Sequence, residues 1–379
     1  MNKEYAEGIS DLIYLCGCAV REETPDRQRV SQMDLEALYR AAERHMLCSA
    51  AAMALERAGV HDAAFTQAKG KAIHKLVTLE TEKAQLTSRL EERGIWYMPL
   101  KGAVLKDLYP AFGMRQMSDY DILFDASCAE TVRELMQEQG FRTEEFDYSF
   151  HDVYIKAPVC VFEMHRRLFG ASHTQLNDYY RDIKRRLLKD EGANFGYHFS
   201  PEDFYVYMTA HEYVHYSGSG TGLRSFLDVY VYLRHFGAAL DLDYVRREAE
   251  KLGLAAFEER SRRLAFCLFE GREAQGEDAE MLDYILRSGV YGTVENITEK
   301  RLEQMDEGPG RRLRYVLRRL FLPMSGVQER YPFFYRHKLL LPLLFFYRVF
   351  LALTRRRARI RKELSAILHY KSEKEQAEN

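Results

Sequence analysis

The sequence predicts an α+β protein, with a small mixed sheet and its helices flanked by helical regions on both sides. Three changes of pattern carry this reading. Residues 1–92 place apolar side chains at three-to-four spacing, residues 93–200 break into short apolar runs separated by turn residues, and helical spacing returns from 201 onward. The organisation implied is an N-terminal helical region (1–92), a mixed core (93–200), a helical domain (201–310) and a basic, apolar C-terminal helical arm (311–379). At 379 residues and 46% apolar content, the chain is long enough for two or three domains with real cores.

The elements follow in order. "SQMDLEALYRAAERHMLCSAAAMALERAG" (31–59) reads as one helix, opened by Ser31 and Asp34 at capping-box spacing and stopped by Gly59. "AAFTQAKGKAIHKLVTLETEKAQLTSRLEERG" (63–94) is a second long helix. "IWYMPL" is a short strand, and "GAVLKDLYP" is one or two helical turns ended by Pro110. "SDYDILFD" is a strand, "SCAETVRELMQEQG" an amphipathic helix, and "FRTEEFD" a returning strand. "YSFHDVYIKAP" and "VCVFEMHRRL" are two more strands meeting at Pro158. Five helices follow from Pro201, with "SGSGTG" (217–222) as a loop between the first two.

Net charge is −2, so no overall field points to nucleic acid. Residues 311–362 are nevertheless strongly basic ("RRLRYVLRRL", "TRRRARIRK"). The apolar run "LLLPLLFFYRVFLALT" (339–354) is interrupted by Pro342 and Arg348 and is too short to span a bilayer. With its basic flanks, the stretch 338–362 reads either as a peripheral contact with an anionic membrane or as a core helix covered by its neighbours. Six scattered cysteines (Cys16, Cys18, Cys48, Cys128, Cys160, Cys267) form no CxxC pair and follow no secretory signal. They are expected to be reduced, buried thiols of a cytoplasmic protein.

The informative stretch is "MPLKGAVLKDLYPAFGMRQMSDYDILFD" (98–125). Strand side chains alternate faces, so Asp119 and Asp121 point together, away from Tyr120 and Ile122. Two buried carboxylates without partners would cost several kcal/mol, and a hard divalent cation such as Mg²⁺ removes that cost. Glu163, in the apolar strand "VCVFEMH", is a third acid on the face of Val159 and Val161, and His165 points the same way. Three carboxylates converging from two strands can hold two metals for in-line attack at phosphorus. Gly102, at a strand-to-helix turn, would let a triphosphate approach backbone N–H groups, with Lys101 and Arg115 supplying positive charge. Ion pairing of Lys101 and Arg115 with these acids is the plainer alternative.

The order of strand, glycine turn, short helix, D-x-D and a later strand acid resembles the nucleotidyltransferases of the DNA polymerase β superfamily. More narrowly, "LKGAVLKDLYPAFGMRQMSDYDILF" followed by "VFEMHRRL" is similar to an uncharacterised bacterial nucleotidyltransferase family, over roughly residues 30–290. The resemblance implies a nucleotidyltransferase-type sheet and transfer of a nucleoside monophosphate from ATP or another NTP to an acceptor, releasing pyrophosphate. It implies Asp119, Asp121 and Glu163 as ligands of Mg²⁺ (or Mn²⁺) and catalytic acids, with Lys101, Gly102, Arg115 and His165 on the nucleotide. Ala103 departs from the Ser that usually follows the superfamily's glycine. The alternative is a catalytically inactive protein of the same fold that binds a partner or a membrane through its basic arm.

"HEYVH" (211–215) sets a competing expectation of a zinc metallopeptidase, since His211 and His215 are one helical turn apart with Glu212 between them. The third histidine that such enzymes need falls on Thr221. The family resemblance offers another account, in which His211, His215, Arg224 and Asp228 line the cleft or form a buried polar network, with Arg224 and Asp228 paired at i,i+4.

Overall fold

A computed structural model describes residues 3–147, 149–290, 292, 294–303, 305, 308, 310–322, 324, 326–327, 331–354 and 357–370. They form two compact units, one of residues 1–213 and 222–290, the other of residues 214–221 and 291–379.

The first unit opens with α1 (Lys3–Arg21), α2 (Arg27–Ser31), α3 (Leu35–His45), α4 (Cys48–Arg57) and the long α5 (Ala63–Glu92). The single helix expected over 31–59 is in fact two, α3 and α4, and Ser31 is the last residue of α2. Asp34, not Ser31, is the cap of α3, accepting from the backbone N–H groups of Glu36 and Ala37. Met46 then adopts a left-handed conformation (φ 54°, ψ 46°), which ends α3 and turns the chain into α4. Apolar spacing continues across that break because α3 and α4 both pack on α1, so periodicity alone conceals it.

The sheet is built from β1 (Tyr97–Pro99), β2 (Tyr120–Phe124), β3 (Arg142–Glu145), β4 (His151–Lys156) and β5 (Cys160–His165), in the order β1-β2-β5-β4-β3. β2 and β5 run parallel; the other pairings are antiparallel. Between them lie α6 (Gly102–Leu105), a single turn continued by a 3₁₀ segment (Lys106–Leu108), and α7 (Ala129–Glu138). One face of the sheet carries Tyr120, Ile122, Phe124, Tyr154, Phe162 and Met164 and is sealed by Leu76, Leu79, Leu86 and Leu90 of α5 and by Val132, Leu135 and Met136 of α7. The opposite face carries Asp121, Leu123, Glu163 and His165, since alternate residues of a strand point to opposite sides.

After β5 come α8 (Thr174–Tyr179), a 3₁₀ segment (Ile183–Arg186) and a two-stranded sheet, β6 (Leu187–Lys189) with β7 (Tyr197–Phe199). These were not expected: β6 and β7 are short, and their sequences, LLK and YHF, form no apolar run like that around β1. The five expected helices follow as α9 (Pro201–Gly218), α10 (Leu223–Phe236), α11 (Leu242–Lys251), α12 (Ala255–Phe269) and α13 (Glu277–Ser288). The fold class is α+β, as the sequence predicts. All six cysteines are free thiols.

The second unit contains α14 (Val294–Glu303), α15 (Arg311–Leu320), α16 (Pro332–Arg336), α17 (Leu341–Thr354) and α18 (Arg357–His369). Its small core joins Leu302, Met305, Tyr315 and Ile367. Arg319 and Tyr315 both donate to Glu363, which ties α15 to α18. Pro342 does not interrupt the apolar run: it sits in the first turn of α17, where its missing N–H costs nothing. No helix among the described residues is long and apolar enough to cross a membrane.

Candidate active site

The acids meet because of strand register. Asp121 of β2 pairs directly with Glu163 of β5, and Leu123 with His165, so the two carboxyl-bearing Cα atoms sit about 4.8 Å apart across a parallel ladder. Asp119 lies one residue ahead of β2 and outside the strand proper, where Ser118 Oγ donates to its Oδ1 (2.9 Å). Burial raises the Asp119 carboxyl above its ordinary value, and the negative charges of Asp121 and Glu163 push the same way.

Lys101 faces this charge. Its Nζ donates to Asp121 Oδ1 at 2.7 Å and lies 4.0 Å from Glu163. His165, fully buried, places Nε2 2.8 Å from the same Asp121 oxygen and 3.6 Å from Glu163. Burial alone would raise the Asp121 carboxyl. The Lys101 ammonium and the His165 hydrogen bond outweigh it and hold that carboxyl well below the usual carboxylate range. Lys101 reaches this position from a strained backbone (φ 48°, ψ −121°), a conformation rare for a residue with a side chain. The turn is anchored by the Leu100 N–H, which donates to the Asp121 carbonyl at 3.0 Å.

Arg115 and Gly102 form a different arrangement from the one expected. The Arg115 guanidinium turns away from the acids to Asp228 on α10, with Nε and Nη2 each 2.8 Å from a carboxylate oxygen, and Tyr109 donates to the same group at 2.7 Å. A Cβ on Gly102 would lie 2.5 Å from Arg115 Nη1, so the glycine makes room for this buried arginine. The i,i+4 pair expected between Arg224 and Asp228 does not form, because Arg115 and Tyr109 occupy the carboxylate. Arg224 donates instead to the carbonyl of Gln116 (3.2 Å). Ala103 is buried in the core of the sheet.

Three further residues belong to the site. His151 of β4 pairs in register with His165 and brings Nε2 within 3.8 Å of Glu163. Tyr207 of α9 is buried, and its hydroxyl is pushed well above its ordinary value by burial and by the charges of Asp121 and Glu163. Lys75 of α5 donates to the carbonyl of Ser118 (2.5 Å), beside Asp119. The alternation in "HDVYIK" did signal that His151 shares a face with Val153 and Ile155; only the pairing to β5 shows that this is the face of Glu163.

The donor set fits a divalent cation. Three carboxylates lie near Lys101, and one ligand atom each from His151, Glu163 and His165 lies within 4.8 Å of the others. Among the described residues no other such group of three or more occurs, and His211 and His215 belong to none. Among the described residues, then, none joins His211 and His215 as the third ligand that the zinc-peptidase expectation needs.

A family model described as an uncharacterised nucleotidyltransferase matches residues 31–270. No curated protein and no solved structure matches the chain.

Proposed function

Since the chain belongs to this uncharacterised nucleotidyltransferase family, we propose that it transfers a nucleoside monophosphate from an NTP to an acceptor hydroxyl, using Mg²⁺ or Mn²⁺. The observation that carries this reading is the side-by-side register of Asp121 and Glu163 with Lys101 between them and Asp119 alongside. The acceptor oxygen forms a bond to the α-phosphorus, the bond from that phosphorus to the bridging oxygen breaks, and the electron pair leaves on pyrophosphate. Asp119, Asp121 and Glu163 would hold the cation, with His151 as a nitrogen donor beside them. When bound, the cation supplies positive charge that neutralises the phosphates. Lys101 brings a fixed ammonium to the developing negative charge, and His165 holds the Asp121 carboxylate in place. Glu163, partly open to solvent while Asp121 is buried, takes the acceptor proton.

Calorimetry of the four NTPs with and without Mg²⁺, on the wild type and on Asp121→Asn, tests this. Mg²⁺-dependent binding that disappears in the variant is the expected result. Folded wild-type protein that binds no NTP would overturn the reading in favour of an inactive protein of this fold. The six free thiols agree with a cytoplasmic location.

We propose separately that the second unit contacts an anionic membrane surface. On α17, Leu343, Phe346, Tyr347 and Phe350 are exposed at i, i+3, i+4 and i+7, a continuous apolar stripe, and Leu339 just before it is 96% exposed. Residues 311–362 hold fifteen lysines and arginines against one acid, Glu329. An apolar stripe within so basic a segment matches an anionic headgroup layer. Co-sedimentation with vesicles of equal parts phosphatidylcholine and phosphatidylglycerol should capture the chain, and pure phosphatidylcholine should not. The double variant Phe346→Ser, Phe350→Ser should release it. Equal capture by both vesicles, or a dimer that this variant dissociates, would overturn the proposal.

A further inference from the structure

At the C-terminal end of β2, Leu123 of the acid-bearing face and Phe124 of the opposite face both line a cavity of about 470 Å³, a size in the small-molecule range of roughly 300–1,000 Å³. Its walls include Trp96, Leu123, Tyr180 and three arginines, Arg166, Arg167 and Arg181. Leu123 is two residues beyond Asp121 on the same face, so the cavity begins about 6.6 Å along β2 from the acids. Lys101 lies at the other end. The strand β1 meets Asp121 with its C-terminal end, through the Leu100 N–H, and meets Phe124 with its N-terminal end, through Tyr97. Trp96 precedes that end. Along β2, Lys101 thus meets Asp121 near one end and the cavity lies beyond Leu123 toward the other.

Two of the three arginines are already paired. Arg166 donates to Asp152 (2.9 and 3.0 Å) and to Asp147 (2.8 Å), and Arg181 pairs with Asp178. The Arg167 side chain has no hydrogen-bond or ion-pair partner among the described residues, although Trp96, Leu123 and Tyr180 present ring and alkyl surface in the same cavity. An unpaired guanidinium at the edge of such a cavity is suited to a bidentate anion.

We propose that this cavity is the acceptor site, and that the acceptor is a small hydroxyl compound bearing a phosphate or carboxylate that pairs with Arg167. The inference rests on the nucleotidyl-transfer reading of the acids. A triphosphate that meets Lys101 and an acceptor that enters from the Trp96 side approach the acids from opposite ends of β2. That is the disposition an in-line displacement requires, with the acceptor oxygen and the leaving pyrophosphate on opposite sides of the α-phosphorus.

Trp96 is the chain's single tryptophan, so intrinsic fluorescence reports on the cavity directly. The probes are glycerol, glycerate and glycerol 3-phosphate, which share a backbone and differ in charge. Saturable change in Trp96 emission is expected with glycerol 3-phosphate, with glycerate, or with both, and none with glycerol; which anion binds distinguishes phosphate from carboxylate. Arg167→Gln, at an exposed position, should weaken binding about threefold to fivefold, the loss expected for an exposed charge pair. Asp121→Asn should leave the titration unchanged. No saturable signal with either anion, or an Arg167→Gln titration matching the wild type, would overturn the proposal. So would an NTP that produces the same signal and competes with the probe, since the cavity would then belong to the nucleotide. Failure of the nucleotidyl-transfer reading looks different: Mg²⁺-dependent NTP binding is absent while the Trp96 titration persists.

Discussion

Arg115 and Asp228 are 113 residues apart in the chain and form a buried two-pronged ion pair, both N···O distances being 2.8 Å. The pair joins the loop before β2 to α10, and Tyr109 completes it. Removing one partner leaves an uncompensated buried charge, which costs about 3–5 kcal/mol. Asp228→Asn should lower stability by that order in urea unfolding. A loss below about 1 kcal/mol, the range of an exposed pair, would mean that this contact does not hold the loop.

Gly102 separates two explanations of a glycine. If it accommodates Arg115, Gly102→Ala forces a Cβ to within 2.5 Å of the guanidinium and should destabilise by about 1–3 kcal/mol through overpacking. If its role is to leave space for a triphosphate, the same substitution would weaken NTP binding and leave the unfolding curve unchanged. Unfolding and calorimetry on one variant decide between them.

Lys101 is the cation nearest three carboxylates. Lys101→Met should lower the melting temperature in metal-free buffer, because Asp121 loses its ammonium partner. Added Mg²⁺ should raise the melting temperature of the variant more than that of the wild type, since the ion then supplies the missing charge. An equal or smaller rise would show that Lys101 does not balance the metal site.

His45 gives the fold an acid-sensitive joint. Its Nδ1 accepts from the Leu223 N–H (3.2 Å), so the neutral ring carries its proton on Nε2 and donates to Tyr5 Oη (3.1 Å), which in turn donates to the Leu286 carbonyl (3.2 Å). Burial, aided by Arg44, pushes the ring down to about 3 from 6.5. As pH falls below 6.5 the unfolded chain takes up this proton and the folded chain does not. Stability should therefore fall by up to about 1.4 kcal/mol per pH unit, and level off only near pH 3. Urea midpoints between pH 7 and 5 should show the slope, and His45→Gln should flatten it. A wild-type curve parallel to that of the variant would locate the acid sensitivity elsewhere.

Local features follow directly from residue order. Apolar period separated helices from strands, so α5, α7, α9 to α13 and the five-strand core were all legible. Acids in apolar strands at Asp121 and Glu163 were conspicuous because burying a charge is costly wherever the strand lies. The break at Met46 was not legible, because a left-handed residue leaves the apolar spacing unchanged. Which residues meet depends on how the chain closes on itself. Register placed His151 beside Glu163, and long-range packing gave Asp228 to Arg115 rather than to Arg224, its neighbour one helical turn away. Only the closed fold brings the Arg115 side chain to within 2.5 Å of where a Cβ on Gly102 would lie. Pattern records what each residue prefers as its surroundings, whereas a partner across the fold is fixed by distances that exist only once the chain has closed on itself.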